Sequence, residues 1–245
     1  MSNHVHAVVT DIEGRLPEFL QYFHRHVAVA MNASLGRTEN FWAATQASVV
    51  ELGDSNDVLE KMPYVIANPT AAGLVRSPQK WPGVISKRPG EVRRSRRPSG
   101  FFRAEGTMPE FATLRFEKPP QMAHFDLATA NLLLFKSISM KVHATRVWAL
   151  KTRRPFAGPK AVMKMALSRS AATDETIKGR NPKFAIGNPE KRQAAISRWR
   201  TFLLAYREAM HQWVRGVRDI RFPEGTWMMS RVHRATCGPP ALCAA

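Results

Sequence analysis

Apolar positions near the start of the chain fall three or four residues apart. Leu16, Phe19, Leu20, Phe23, Val27 and Met31 follow this rule, which is the period of one helix face. Residues 16 to 34 are therefore expected to form an amphipathic helix, stopped by Gly36. Ahead of it, residues 4 to 9 read as a strand, with alternate side chains facing opposite sides. Residues 11 to 14 read as a turn. Phe41 and Trp42 open an extended segment, and residues 47 to 52 form a second expected strand. Asp54 or Ser55 can cap a second helix starting near Asn56. That helix carries Val58, Leu59, Met62 and Tyr64, and Pro69 should end it shortly after. Gly73-Leu74-Val75 and Trp81-Pro82-Gly83 read as loops with buried anchors.

Residues 87 to 106 change the pattern. Lys87, Arg88, Arg93, Arg94, Arg96 and Arg97 are interleaved with Pro89, Gly90, Pro98 and Gly100. Such a stretch is a solvated linker or a phosphate-binding arm. Beyond it come a strand over residues 113 to 116 and an apolar helix over residues 127 to 135. A strand or helix follows over residues 142 to 150, then a polar, basic, poorly periodic stretch to residue 188. From Pro189 a long helix is expected. Its stripe of Ile196, Trp199, Leu203, Tyr206, Met210 and Trp213 reads as core rather than as a base-stacking platform. This divides the chain into residues 1–86, a linker at 87–106, and a mostly helical region at 107–245.

Charge narrows the partners. Lys and Arg number 37 against 19 Asp and Glu, a net +18, and the sequence pI is about 10.9. A field of that sign favours polyanions: DNA, RNA or acidic lipid. Candidate nucleic-acid contacts are Arg25, Arg37, Arg93, Arg94, Arg96 and Arg97. The two cysteines, Cys237 and Cys243, are too few to staple a domain or to build a thiolate zinc site. No apolar run approaches the roughly 20 residues of a membrane span, and no signal layout is visible. A cytoplasmic location without membrane partners is expected.

Three features carry candidate chemistry. His4 and His6 are spaced to point the same way from a strand, and two neutral imidazoles can hold one divalent ion with positions left open. The bare pair is also a common surface pattern. Tyr64 can attack phosphorus directly and hold a strand as a phosphotyrosine ester. Asn68 lies one helical turn further on the same face. There it can supply an amide oxygen to a metal or cap the helix before Pro69.

Met1-Ser2-Asn3-His4-Val5-His6 resembles the signature of single-tyrosine HUH transposases of the REP-associated kind, in which two histidines flank a hydrophobic residue. Asn40-Phe41-Trp42, Tyr64-Val65-Ile66-Ala67-Asn68-Pro69 with its continuation to Val75, and Trp81-Pro82-Gly83 resemble later blocks of the same family, in the same order. Phe101-Phe102-Arg103, Leu114-Arg115-Phe116 with Pro119-Pro120, and the segment from Phe222 through Trp227 resemble a C-terminal extension of some members.

The resemblance implies an α+β fold whose core is a partial ferredoxin-like antiparallel sheet with packed helices. It implies Mg or Mn bound by His4 and His6, with Asn68 as a weaker third ligand. Tyr64 is then the nucleophile on single-stranded or hairpin DNA, forming a 5′-phosphotyrosine in DNA transposition, by a monomer or homodimer. The family places a strand and a helix before the HUH strand, so residues 1–86 are expected to be a truncated domain. Pro63 directly precedes Tyr64 and would kink its helix. The competing expectation is a catalytically inactive remnant that binds DNA or RNA through its basic surface.

Overall fold

The computed structural model describes residues 4–42, 47–98, 105–165 and 182–238. Along the chain these contain α1 (Leu16–Leu35), β1 (Glu51–Leu52), α2 (Ser55–Ala71), β2 (Val92–Arg96), β3 (Phe111–Arg115), α3 (Leu127–Lys151), α4 (Pro159–Met163), β4 (Phe184–Ala185), α5 (Pro189–Val214), β5 (Arg221–Phe222), α6 (Trp227–Arg231) and β6 (Thr236–Cys237). The fold is thus mixed helix and strand. The described strands form three separate two-stranded ladders, β1 with β4, β2 with β3 and β5 with β6. Among the described residues, no helix is long and apolar enough to cross a membrane.

Contacts divide the chain into two units. The first takes Met1–Val9, Val50–Ser95 and Phe111–Gly187; the second takes Thr10–Val49, Arg96–Glu110 and Asn188–Ala245. Each draws on both sides of the basic stretch 87–106.

The first unit is built on α2. Asp54 caps it by accepting the backbone N–H of Asn56 and Asp57, which satisfies donors the first turn leaves open. The buried Asp57 carboxylate reaches back to the N–H groups of Asp54 and Gly53, at 3.1 and 2.9 Å. It also accepts the N–H of Gly187 at 2.8 Å. The same carboxylate therefore starts the helix and ties it to a segment far along the chain. That tie sits just beyond the parallel pairing of Glu51 with Phe184 and Leu52 with Ala185.

The far end of α2 closes in a Schellman pattern. The N–H of Leu74 bonds Pro69 O and that of Gly73 bonds Thr70 O, with Gly73 at φ 72°. This is the left-handed position that glycine fills without strain. The N–H groups of Ala157 and Gly158 then bond the carbonyls of Gly73 and Leu74. Between its two ends α2 packs on α3, and Val58, Met122, Ala130 and Leu134 form the core, flanked by Leu52, Leu59, Met62 and Phe125.

In the second unit Ala209, Phe222, Met229 and Ala235 form the core, with Tyr206, Met210, Trp213 and Ile220 packed against it. Helix α1 ends as expected at Gly36, which adopts the left-handed conformation, but it buries none of its residues.

Several expectations change. Residues 4 to 9 join no ladder, and the valines among them are exposed, Val5 by 59%. A strand needs a neighbour for its N–H and C=O groups, and no described segment supplies one here. The strand expected over 47–52 shrinks to two residues. Part of the expected linker, Val92–Arg96, is instead a strand. Its β2–β3 ladder is antiparallel, since Gly90 and Phe116 bond at one end and Arg97 and Glu110 at the other. The open alternative over 142–150 resolves to helix, continuous with the apolar run before it as α3. The Phe101-Phe102-Arg103 motif lies outside the described residues.

Asp57→Ala leaves three backbone donors without their acceptor. It should lower stability by about 3 kcal/mol, read from the urea midpoint at unchanged slope, with Asp57→Asn costing less. An unchanged midpoint would show that the carboxylate is not what holds α2 to residue 187.

Candidate active site

Helix α2 positions two of the expected side chains. Tyr64 is 47% exposed, and Asn68, one turn later on the same face, is buried at 8%. Both prolines lie inside this helix, which runs without a break through Pro63 and Pro69. Pro63 is fully buried, whereas Tyr64, the next residue, is not. The bond it removes is lost on the inner face, while the phenol keeps its access to solvent.

The N-terminal segment supplies the other two. His6 lies with its ring 5.8 Å from that of Tyr64, nearly perpendicular at 76°. Its Nε2 is 3.3 Å from Asn68 Nδ2. The His4 ring stands 4.7 Å from His6, edge to face at 86°. His4, His6, Tyr64 and Asn68 therefore form one cluster inside the first unit, although the histidines and the tyrosine lie far apart in sequence.

Electrostatics favour neutral imidazole here. Partial desolvation pushes the His6 pKa below its ordinary 6.5, and the neighbouring His4 pushes it the same way. A neutral ring keeps a lone pair available for a cation or a proton. Asn68 adds a second signal: its buried Oδ1 has no hydrogen-bond partner, whereas buried polar atoms are normally satisfied. The amide oxygen and nitrogen exchange places by a half-turn, so either can face His6 Nε2.

A divalent cation is the group the resemblance implies. Two imidazoles and an orphaned amide oxygen are a donor set such an ion accepts, and the residues fit it. Among the described residues no group of three His, Cys, Asp or Glu side chains could hold a metal. The donors that the cluster would bring to an ion are two imidazoles and one amide oxygen.

The arginines separate into two kinds. Arg93 is bound by Glu91 and the Ile85 carbonyl, and Arg97 donates to Met108 O at 2.7 Å. These two brace the hairpin. Arg94 is exposed, with its guanidinium 4.3 Å over the Phe111 ring. Arg96 pairs with Glu110 at 3.1 Å and Arg37 with Glu39 at 3.3 Å, both in the open. Arg25 is exposed on α1.

The stripe on α5 also departs from expectation. Ile196, Leu203, Tyr206, Met210 and Trp213 are half-buried as a core stripe should be, while Trp199 is 38% exposed. The sequence signal for that lies in where the helix carries its charges.

No protein-family model, curated protein or solved structure matches the chain.

The electrostatic reading has a direct check. In an NMR titration His6 should protonate below pH 6.5, and His4→Ala should move its midpoint upward. Because the folded pKa is depressed, protonation of His6 opposes folding. Its contribution is therefore lost as pH falls below the unfolded value near 6.5 and is unchanged above it. A His6 midpoint above 6.5 would remove the case for a neutral ring.

Proposed function

We propose that the chain is a metal-dependent endonuclease and strand transferase for single-stranded DNA, with Tyr64 as its nucleophile. The observation that carries this reading is the convergence of His4, His6, Asn68 and Tyr64 in one cluster, with the tyrosine on its open side. On this reading residues 1–86 belong to a domain of the single-tyrosine HUH type. The chain's net +18 supports a polyanionic substrate.

The chemistry follows from the residues. The Tyr64 oxygen attacks phosphorus, the bond to the 3′ oxygen breaks, and a 5′-phosphotyrosine and a free 3′-OH result. The phenol gives its proton to solvent, to which it is open, and the departing 3′ oxygen takes one up. One phosphoester replaces another, so rejoining is the reverse attack by a 3′-OH and needs no other energy source. A phenol with a reference pKa near ~10 is mostly protonated at neutral pH. A Mg or Mn ion held by His4, His6 and Asn68 would polarise the phosphate to offset this. Exposed Arg94 adds positive charge within the unit that holds the cluster, and exposed Arg25, Arg37 and Arg96 add it within the second unit.

The test is a denaturing gel of the purified chain with a labelled pool of hairpin-containing single strands and Mn. A slow band that survives denaturation, requires Mn, and disappears in Tyr64→Phe with binding intact is expected. His6→Ala should weaken the band by at least about tenfold. A band that persists in Tyr64→Phe would overturn the assignment of the nucleophile. No band at all, with DNA retained on a native gel, would replace strand transfer by binding alone.

A further inference from the structure

Helix α5 carries a surface that the Tyr64 cluster does not use. Trp199 and Phe202 stack with ring centroids 5.4 Å apart and planes within 18°. Phe202 and Tyr206 stack at 6.2 Å and 13°. Tyr206 in turn rests on the buried Phe222 at 6.0 Å, so the row is anchored at one end in the core of the second unit. Its other end, Trp199, is open. Of the whole helix only Ala195 and Ala209 are buried.

The charges on α5 are sorted about this row. At about 100° per residue, Arg200 and Arg207 fall along one edge of the aromatic stripe. Arg198 and Lys191 fall along the other, and Arg192 lies on the stripe itself, two turns before Trp199. The helix has two carboxylates, Glu190 and Glu208, and both fall about half a turn from Trp199, on the back. The Glu208 carboxylate there accepts a hydrogen bond from Gln212. The aromatic face is thus framed by cations and free of anions from its own helix.

We infer that this face of α5 is a docking surface for single-stranded nucleic acid, with an unpaired base stacking on the open face of Trp199 while Arg200 and Arg207 hold the neighbouring phosphates. A purely apolar partner would leave guanidinium groups desolvated along both edges. A duplex hides its base faces by stacking them on each other, whereas an unpaired base offers a π-face to an aromatic ring. Because Phe202 and Tyr206 are covered by their neighbours in the row, the ring face open to a base is that of Trp199. The surface lies wholly in the second unit and stands whether or not Tyr64 cuts DNA.

The experiment uses the full chain as Tyr64→Phe, so that loss of strand transfer leaves the readout untouched. Fluorescence anisotropy compares three labelled ligands: an oligothymidine of about twenty nucleotides, an abasic strand of equal length and charge, and a duplex. Oligothymidine should bind tightest. Trp199→Ala should weaken it by about tenfold or more, with little change for the abasic strand, and Trp199→Phe should restore most of the loss. Arg200→Gln with Arg207→Gln should weaken both single strands and flatten the salt dependence. A thermal melt matching the parent shows that each variant is folded. Equal binding of the oligothymidine and abasic strands, tighter binding of the duplex, or no effect of Trp199→Ala would overturn the proposal.

Discussion

A single buried carboxylate holds in place the helix that carries Tyr64 and Asn68. Asp57 closes the first turn of α2 and, with its remaining acceptor capacity, takes the N–H of Gly187. An unpartnered carboxylate at that depth would be costly, and three backbone donors are what make the position tolerable. The parallel pairing of β1 with β4 follows on one side and the α2–α3 core on the other. Tyr64 and Asn68 inherit their positions from this arrangement, because their relative placement is that of one rigid helix.

Much of the local structure was legible along the chain. The apolar spacing of residues 16 to 34 marked α1, Gly36 its end, Asp54 or Ser55 the start of α2, and Pro189 the start of α5. These are short-range signals, set by caps and period. What stayed hidden depends on partners distant in sequence. Residues 4 to 9 have an alternating pattern but no neighbour to pair with among the described residues. Val92–Arg96 is a strand because Phe111–Arg115 lies beside it, although its arginines read as linker. The two-residue pairings of β1 and β4 leave no pattern at all.

The grouping of residues 4, 6, 64 and 68 was expected from the family that their motifs resemble, not from spacing along the chain. The packing of the N-terminal segment on α2 brings these side chains together. The basic residues divide on the same principle. Arg93 and Arg97 are committed to carbonyl and carboxylate partners within the protein, so charge counted along the chain overstates the charge offered to a ligand. On α5 the sorting runs the other way, since the helix period removes both acids from the aromatic face.

The attachment of α2 at both ends has a consequence for how the protein is made. Its first turn is tied to Gly187 and its last to Ala157 and Gly158, so the helix leaves the ribosome well before either anchor exists. During synthesis it must wait as a marginal isolated helix, because one of this length gains little stability without tertiary packing. Its two prolines weaken it further in that interval. The arrangement of Tyr64 and Asn68 is thus encoded early and secured late, and a nascent chain halted before residue 187 would carry all four cluster residues without the clamp that fixes their helix.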